Sequence, residues 1–363
     1  MRILSIDTSC DDTSVAITIG ARVYVNSVSS QIEIHKKTGG VVPIDAARAH
    51  DIKIQPLIDF TLKKAKMKLK DIDAIAVTFG PGLAPALQVG ITKAKELTLE
   101  LNIPLIPVNH MSGHIYANWA KNSVGNGAVK EMWPTLALLV SGGHTEIVNM
   151  LDHFSFQIVG ETLDDACGEC FDKVGRMMGL GYPAGPVIEE FATHGDENLY
   201  SLPRPMQNSN DFNVSYSGLK TAAFRLIKTL SESNSSHNQT KTRPPSGTEV
   251  FTLTKQQIYD ICASFQKAAI DTILIKLEKA IISLNSATLV LGGGVVKNKY
   301  LRKKARELAK KYNLIFHYPP DKLIMDNAAM IGVAGYYQFQ YGKVFTTQEE
   351  IETIQREPSL RLQ

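Results

Sequence analysis

One order of elements occurs twice along this chain, and it limits the folds available. Ile3 to Ile6 is a strand, Asp7-Thr-Ser-Cys-Asp-Asp-Thr-Ser14 is a polar turn and Val15 to Ile19 is a second strand. The chain therefore opens on a β-hairpin with acids and hydroxyls at its tip. A third strand pattern lies near Val23 to Val28, followed by Gly39-Gly40 and an amphipathic helical run from Asp45 to about Leu69. The short buried strand Ala74 to Val77 then enters Gly80-Pro81-Gly82 and a helix pattern through Leu99, which is the strand, glycine turn and helix of an α/β unit. The order returns later. Leu136 to Val140, the small tip Ser141-Gly-Gly-His-Thr145 and Glu146 to Val148 form another hairpin, while Thr288 to Leu291, Gly292-Gly-Gly294 and a helix from about Lys299 form another strand, turn and helix. The repetition predicts an α/β fold present twice, as two lobes facing a cleft into which both hairpin tips and the second glycine turn point.

A chain of 363 residues is long enough for two domains, and 44% hydrophobic with 21% charged residues is the composition of a soluble globular protein. The net charge of +3 neither implies nucleic-acid binding nor excludes it. The start runs directly into a strand pattern without an apolar signal core, and no run reaches membrane-spanning length, so a cytoplasmic protein is expected. The four cysteines, Cys10, Cys167, Cys170 and Cys262, are too few for a disulfide framework, and Cys167-Gly-Glu-Cys170 has no second pair with which to complete a zinc site. Reduced, packed thiols are the reading. Residues Ser231 to Thr248, rich in Ser, Asn, Thr and Pro, read as a disordered insertion or long loop without chemistry. The lysine run Lys63 to Lys70 reads first as a solvated face, with Arg302-Lys303-Lys304 a second basic stretch.

Candidate chemistry starts from two histidines. Ile103 to Val108 is a strand, Asn109 suits a helix N-cap, and His110 and His114 then fall at i and i+4 on one side of a helix. For the pair alone, ordinary hydrogen-bonded helix histidines are an equally good reading. Asp326 supplies a third group, as it opens the last apolar helix where a carboxylate is either a cap or a ligand. Two histidines and a carboxylate suit zinc or ferrous iron with positions open for substrate. Gly292-Gly-Gly294 lacks both the Walker and the full Rossmann spacing, yet a glycine turn at a helix start leaves amides accessible. With the two polar tips it favours a nucleotide between the lobes. The stretch from Glu161 to Glu190 is dense in further candidates: Asp164-Asp-Ala-Cys-Gly-Glu169, Phe171-Asp-Lys173 and the glycine and proline loop from Gly179 to Glu189.

These residues resemble a known family. Ser5-Ile-Asp-Thr-Ser-Cys-Asp-Asp-Thr13, Gly39-Gly-Val-Val-Pro43, Gly80-Pro-Gly82, His110-Met-Ser-Gly-His114, Leu139-Val-Ser-Gly-Gly-His-Thr145, Asp164 to Glu169, Phe171-Asp-Lys173, Ser215-Tyr-Ser-Gly-Leu-Lys220 and Asp326-Asn-Ala-Ala-Met330 are similar, in order and spacing, to the TsaD/Kae family of tRNA threonylcarbamoyltransferases. The resemblance implies a duplicated actin-like, sugar-kinase and heat-shock ATPase (ASKHA) fold with an interlobe cleft. It divides the chain into a first lobe over 1–131, a second over 132–325 that carries the 231–248 insertion, and a returning C-terminal helix region over 326–363. It implies transfer of the threonylcarbamoyl group of threonylcarbamoyl-AMP to the exocyclic amino group of the adenosine beside the anticodon, in tRNAs reading codons that begin with A. By position, His110, His114 and Asp326 are implied to bind one divalent metal, Fe2+ or Zn2+. Leu139, Val140, Ser141, Gly142, Gly143, Asp172, Gly185, Glu189 and Asn298 are implied to contact the nucleotide and substrate, with an ATP- or ADP-type nucleotide as another occupant. The implied partners are tRNA with TsaB-like and TsaE-like subunits, or a second copy of the chain in a homodimer, and no membrane. No general base is assigned. Ala184, where bacterial relatives usually have glycine, is a departure from the pattern. Three other readings compete: a metallopeptidase, which would need Glu where Met111 stands; a kinase of the same fold, which has no use for a His/His/Asp group; and a non-catalytic nucleotide-binding subunit.

Overall fold

The computed structural model describes residues 1–35, 40–235, 251–342 and 344–362, and its two sheets repeat one topology. The strands are β1 Arg2–Asp7, β2 Asp12–Ile19, β3 Arg22–Ser30, β4 Ala74–Gly80, β5 Leu105–Asn109, β6 Thr135–Val140, β7 Thr145–Asp152, β8 Ser155–Glu161, β9 Thr288–Gly292 and β10 Ile315–His317. The first sheet runs β3-β2-β1-β4-β5 and the second β8-β7-β6-β9-β10, so each strand of one has its counterpart in the other. In both, an antiparallel meander is extended by two parallel strands. This is the duplication that the repeated sequence order predicts.

Period-two alternation decides which side chains enter which core. Leu4, Ile6, Val15, Ile17, Ile75 and Val77 face helices Pro43–Ala65 and Ala84–Leu101 on the outer side of the first sheet. Ile3, Ala16, Ala74 and Ala76 face inward, where helices His110–Tyr116 and Ala328–Tyr341 lie between the sheets, and Ala137, Leu139, Val148 and Val290 approach them from the second sheet. The inner side carries many alanines because those helices sit close: a Cβ on Gly332 would stand 2.8 Å from Ser5 Oγ, and one on Gly335 3.0 Å from Ala76 Cβ. Ser5 Oγ also donates to the Ala328 carbonyl at 2.6 Å and Ser14 Oγ accepts from the Ala328 amide at 2.8 Å, fixing the start of the last long helix on the first sheet. Leu136, Leu138 and Val140 point to the outer core of the second sheet, with helices Cys167–Met177, Ser217–Ser235, Lys255–Leu284 and Lys299–Lys311.

Some elements differ from the sequence pattern. The helix expected to about Leu69 stops at Ala65, because Lys66 adopts a left-handed conformation (φ 55°) and turns its amide back to Leu62 and Lys63; a short 3-10 turn, Leu69–Asp71, follows. β8, beyond the hairpin that the sequence pattern predicts, is a partly exposed edge strand on which Ser155 and Gln157 alternate with the more buried Phe156 and Ile158. Residues Ser231–Ser235, read as the start of a loop, end the helix Ser217–Ser235; positions 236–248 of that expected insertion and Gly39 lie outside the described residues. Cys167, Cys170 and Cys262 are buried and free, and burial pushes the Cys167 thiol up to about 12. Among the described residues no helix is long and apolar enough to cross a membrane.

Candidate metal centre and the interlobe cleft

The C-terminal ends of the parallel strands carry the first polar groups. Gly80 at the end of β4 is level with Asn109 at the end of β5, and Asp7 ends β1 beside them. Asn109 Oδ1 accepts from the amides of Met111 at 2.8 Å and Ser112 at 3.3 Å, which starts a fully buried seven-residue helix and directs His110 and His114 to one side of it. The two alternatives for Asp326 separate here. Asn327 is the cap of the last helix, accepting from Met330 N at 3.0 Å, and the Asp326 carboxylate turns to the histidines. Asp326 Oδ1 lies 3.4 Å from His110 Nε2 and 3.2 Å from His114 Nε2, with the two rings edge to face at 4.7 Å.

One donor atom from each of the three side chains lies within 4.8 Å of the others. His114 Nε2 and His110 Nδ1 are buried without a hydrogen bond. A buried nitrogen left unsatisfied costs about 1–3 kcal/mol, and His114 Nε2, which converges with His110 Nε2 on the Asp326 carboxylate, is one that a divalent cation would complete; the unbonded His110 Nδ1 faces Asp7 instead. The residues fit such an ion. The fields agree: burial alone would depress both imidazoles, but Asp326 and Asp7 outweigh it at His110 and raise it to about 10, while His114 remains lowered. Burial likewise opposes ionisation of Asp326, yet the two histidines hold its carboxyl well below the ordinary range. Asp7 belongs to this group although its spacing in the sequence does not reveal it; its buried Oδ1 is 3.7 Å from His110 Nδ1. The available signal is an acid as the last residue of a strand that enters a polar turn.

The glycine turn after β9 has a steric reason. A Cβ on Gly292 would stand 2.9 Å from the His114 carbonyl oxygen, and one on Gly293 (φ 91°) 2.4 Å from the Val140 carbonyl oxygen. These glycines seat the histidine helix against β6 and β9. Leu139 and Val140 are buried on β6, and the tip beyond them folds on itself: Ser141 N donates to His144 O at 2.8 Å, and Ser141 Oγ accepts from the amides of His144 at 3.0 Å and Gly143 at 3.3 Å. Gly142 and Gly143 have open space where a Cβ would stand. Helix Cys167–Met177 approaches this tip through Gly168, whose amide donates to Ser141 O at 3.2 Å.

The other expected contacts form a second group, joined by hydrogen bonds. Asp172 Oδ1 accepts from Ala184 N at 2.7 Å at the start of helix Gly185–Ala192; Glu189 of that helix accepts through Oε1 from Lys299 N at 2.6 Å; and the neighbouring Asn298 caps helix Lys299–Lys311 through Leu301 N at 2.9 Å while donating to Gln266 Oε1 at 2.7 Å. Burial raises the Asp172 carboxyl. Ala184 fits because Gly175 faces it; a Cβ there would stand 2.2 Å from the Ala184 Cβ. Asp164 and Asp165 join neither group. Asp164 accepts from Ser215 Oγ at 2.5 Å and Tyr216 N at 2.7 Å, and Asp165 pairs with Lys173 at 2.5 Å and with Lys220, which fixes the start of helix Ser217–Ser235.

Two mixed sheets of one repeated topology, with two buried histidines and the partly exposed Asp326 clustered between them, define a two-lobed protein of the actin-like ASKHA fold with a cleft fitted for a metal. The fold is shared with HypF from T. kodakarensis at a TM-score of 0.57 and 13% identity, over 96% of this chain and 48% of that one, and with a full-length HypF at 0.58 and 13%, over 94% and 56%. The model of the TsaD family, tRNA N6-adenosine threonylcarbamoyltransferase, matches residues 22–333. The tRNA N6-adenosine threonylcarbamoyltransferase of Thermosipho melanesiensis is 45% identical over 93% of this chain and 95% of its own length, and that of Bacillus subtilis 44% identical over 94% and 92%. The chain belongs to the TsaD family.

Proposed function

We propose that this chain is a tRNA N6-adenosine threonylcarbamoyltransferase, taking its acyl group from threonylcarbamoyl-AMP and placing it on the exocyclic amino nitrogen of the adenosine beside the anticodon, in tRNAs that read codons beginning with A. Beyond family membership, the observation that supports the reading is the His110, His114 and Asp326 cluster, in which the buried His114 Nε2 has no hydrogen bond. The attacking amine is weak because its lone pair is delocalised into the purine, so the acyl donor must be activated. In a mixed anhydride with AMP, attack at the carbamoyl carbon releases AMP. His110, His114 and Asp326 would hold Fe2+ or Zn2+, which when bound supplies Lewis-acid stabilisation of charge developing on donor oxygens.

The remaining roles belong to the chain. Gly142 and Gly143 let the donor approach the backbone. Asp172 and Glu189 accept from donor hydroxyls, Gly185 and Asn298 flank the adenosine, and Leu139, Val140 and Ser141 shape the floor. The same cleft takes an ATP- or ADP-type nucleotide. The lobes divide at 131/132, with 326–363 returning to the first. The protein works in the cytoplasm, and sustained turnover needs TsaB-like and TsaE-like subunits, a homodimer being the alternative. The test is to incubate the purified chain with threonylcarbamoyl-AMP and tRNA, digest the tRNA and identify nucleosides by mass spectrometry. Threonylcarbamoyladenosine with matching AMP release is expected, and repeated turnover by the chain alone would favour the homodimer. No product from the chain, with or without the subunits, contradicts the reading.

A further inference from the structure

Residues 297–322 carry nine lysines and arginines against two acids, Glu307 and Asp321, in a chain whose whole net charge is +3. Helix Lys299–Lys311 sorts them by face. Leu301, Ala305 and Ala309 recur every fourth residue and are buried, whereas Lys299, Lys303, Arg306 and Lys310 are exposed along the other side. From the rise per residue this cationic stripe is roughly 16 Å long. The two acids are taken up off the stripe: Glu307 pairs with Lys304 at 3.5 Å and Asp321 with Arg302 at 2.8 Å. Like charges three and four apart disfavour a helix by about 0.2–0.5 kcal/mol per pair, so the stripe costs the isolated fold stability that a polyanion would return. Aromatic rings lie alongside. The Arg302 and Arg306 guanidiniums sit 5.1 and 5.8 Å from the Tyr318 ring centroid, and Arg306 is 5.6 Å from that of Phe316.

The segment is tied to the cleft at both ends. The helix starts at Asn298 and at the Lys299 amide held by Glu189. At the other end, Arg302 holds the turn Asp321–Leu323, which leads directly to Asp326. The lysine run from Lys63 to Lys70 lies elsewhere. It precedes Asp73, which pairs at 2.9 Å with Arg2 at the start of β1, a strand's length of roughly 17 Å from Asp7. Lysines there lie in and just after the last turn of helix Pro43–Ala65, where cations suit the helix dipole.

We propose that the stripe Lys299, Lys303, Arg306 and Lys310, with Arg306 steadied on Tyr318, is the face that docks tRNA by its phosphates while the target adenosine enters the cleft. This rests on the tRNA-modifying reading above. The test compares the full chain with a Lys303→Ala, Arg306→Ala, Lys310→Ala variant and a Lys63→Ala, Lys64→Ala, Lys68→Ala, Lys70→Ala variant, measuring tRNA binding across a salt series and, with the TsaB-like and TsaE-like subunits added, transfer kinetics. All the replaced groups are solvent-facing, and matched thermal melting confirms folding. Taking one cationic side chain off a phosphate should flatten the plot of log affinity against log salt by about one unit of slope, so the stripe variant should be flatter by about three units and the other variant unchanged. KM for tRNA should rise at least roughly tenfold in the stripe variant with kcat retained. Wild-type slope and KM in the stripe variant, a change confined to the Lys63–Lys70 variant, or no tRNA binding by the wild-type chain at low salt would overturn the proposal. The binding series needs no acyl donor. Stripe-dependent binding without any modified nucleoside therefore supports the docking face and refutes the transferase reading, while normal transfer by the stripe variant does the reverse.

Discussion

Replacing Gly292 by alanine tests whether the seat of the histidine helix sets metal affinity. The new Cβ would stand 2.8 Å from Leu139 Cδ2, 2.9 Å from the His114 carbonyl oxygen and 3.2 Å from its carbon. Ordinary carbon contacts lie near 3.5–4.0 Å, so the His114 backbone must retreat by about 0.5 Å or more. That is about the tolerance within which a binding constellation keeps its geometry. The global cost is that of a modest overpacking, about 1–3 kcal/mol, and the entropy of unfolding expected for a chain this size converts it to a melting-temperature loss of only a few degrees. The local cost should be larger in proportion, a roughly tenfold or greater loss of metal affinity, the size typical of disturbed supporting contacts. Titration with Zn2+ against a competing chelator measures it. Gly142→Ala, which has open space at its Cβ, is the control and should bind as the wild type does. A Gly292→Ala protein that melts lower but binds Zn2+ unchanged would refute the reasoning, since the strain would then have been absorbed away from the ligands.

Other outcomes follow from single contacts. Glu146 has its carboxyl raised to about 7, by burial first and by Glu161 next, with Arg361 opposing, and its Oε2 is buried without a partner. A raised carboxyl contributes stability that is full below the unfolded value near 4.5 and lost as pH rises through 7, so Glu146→Gln should be more stable than wild type by roughly 1–3 kcal/mol at pH 8 and equal to it near pH 4.5; denaturant unfolding at the two pH values checks this, and equal stabilities at both contradict it. A Cβ on Gly80 would stand 2.0 Å from the Glu357 carbonyl oxygen, where the tail runs past β4 with Glu357 N donating to Phe79 O at 2.8 Å. Gly80→Ala should therefore release residues 357–362, seen as faster amide exchange at Glu357 and Leu360, and unchanged protection there would count against the packing described.

The duplicated fold is legible because alternation and turn chemistry are local: β1, β4 and β9 are short apolar runs ended by Asp7, Gly80 and Gly292, and the order of strand, turn and helix recurs. His110 and His114 are legible for the same reason, since helical spacing alone brings them together. What spacing cannot show is distance across the fold. Glu189 bonds to the Lys299 amide from 110 residues away, and Asp7 meets His110 only because β1 and β5 both adjoin β4. The glycines at 292 and 293 resemble a phosphate cradle, yet their closest constraint is the backbone of His114 and Val140. The helix end at Ala65 is hidden because a lysine, rather than glycine or asparagine, takes the left-handed position.

The central claim is that the cleft is built around one metal ion held by three side chains from two distant parts of the chain, and metal content measures it directly. Purified wild-type protein, freed of metal and then dialysed against Zn2+ or, without oxygen, Fe2+, should retain one ion per chain by elemental analysis. His110→Ala, His114→Ala and Asp326→Ala should each retain little or none while showing wild-type far-ultraviolet circular dichroism. An ion retained at full stoichiometry by all three variants would contradict the account and place the metal elsewhere.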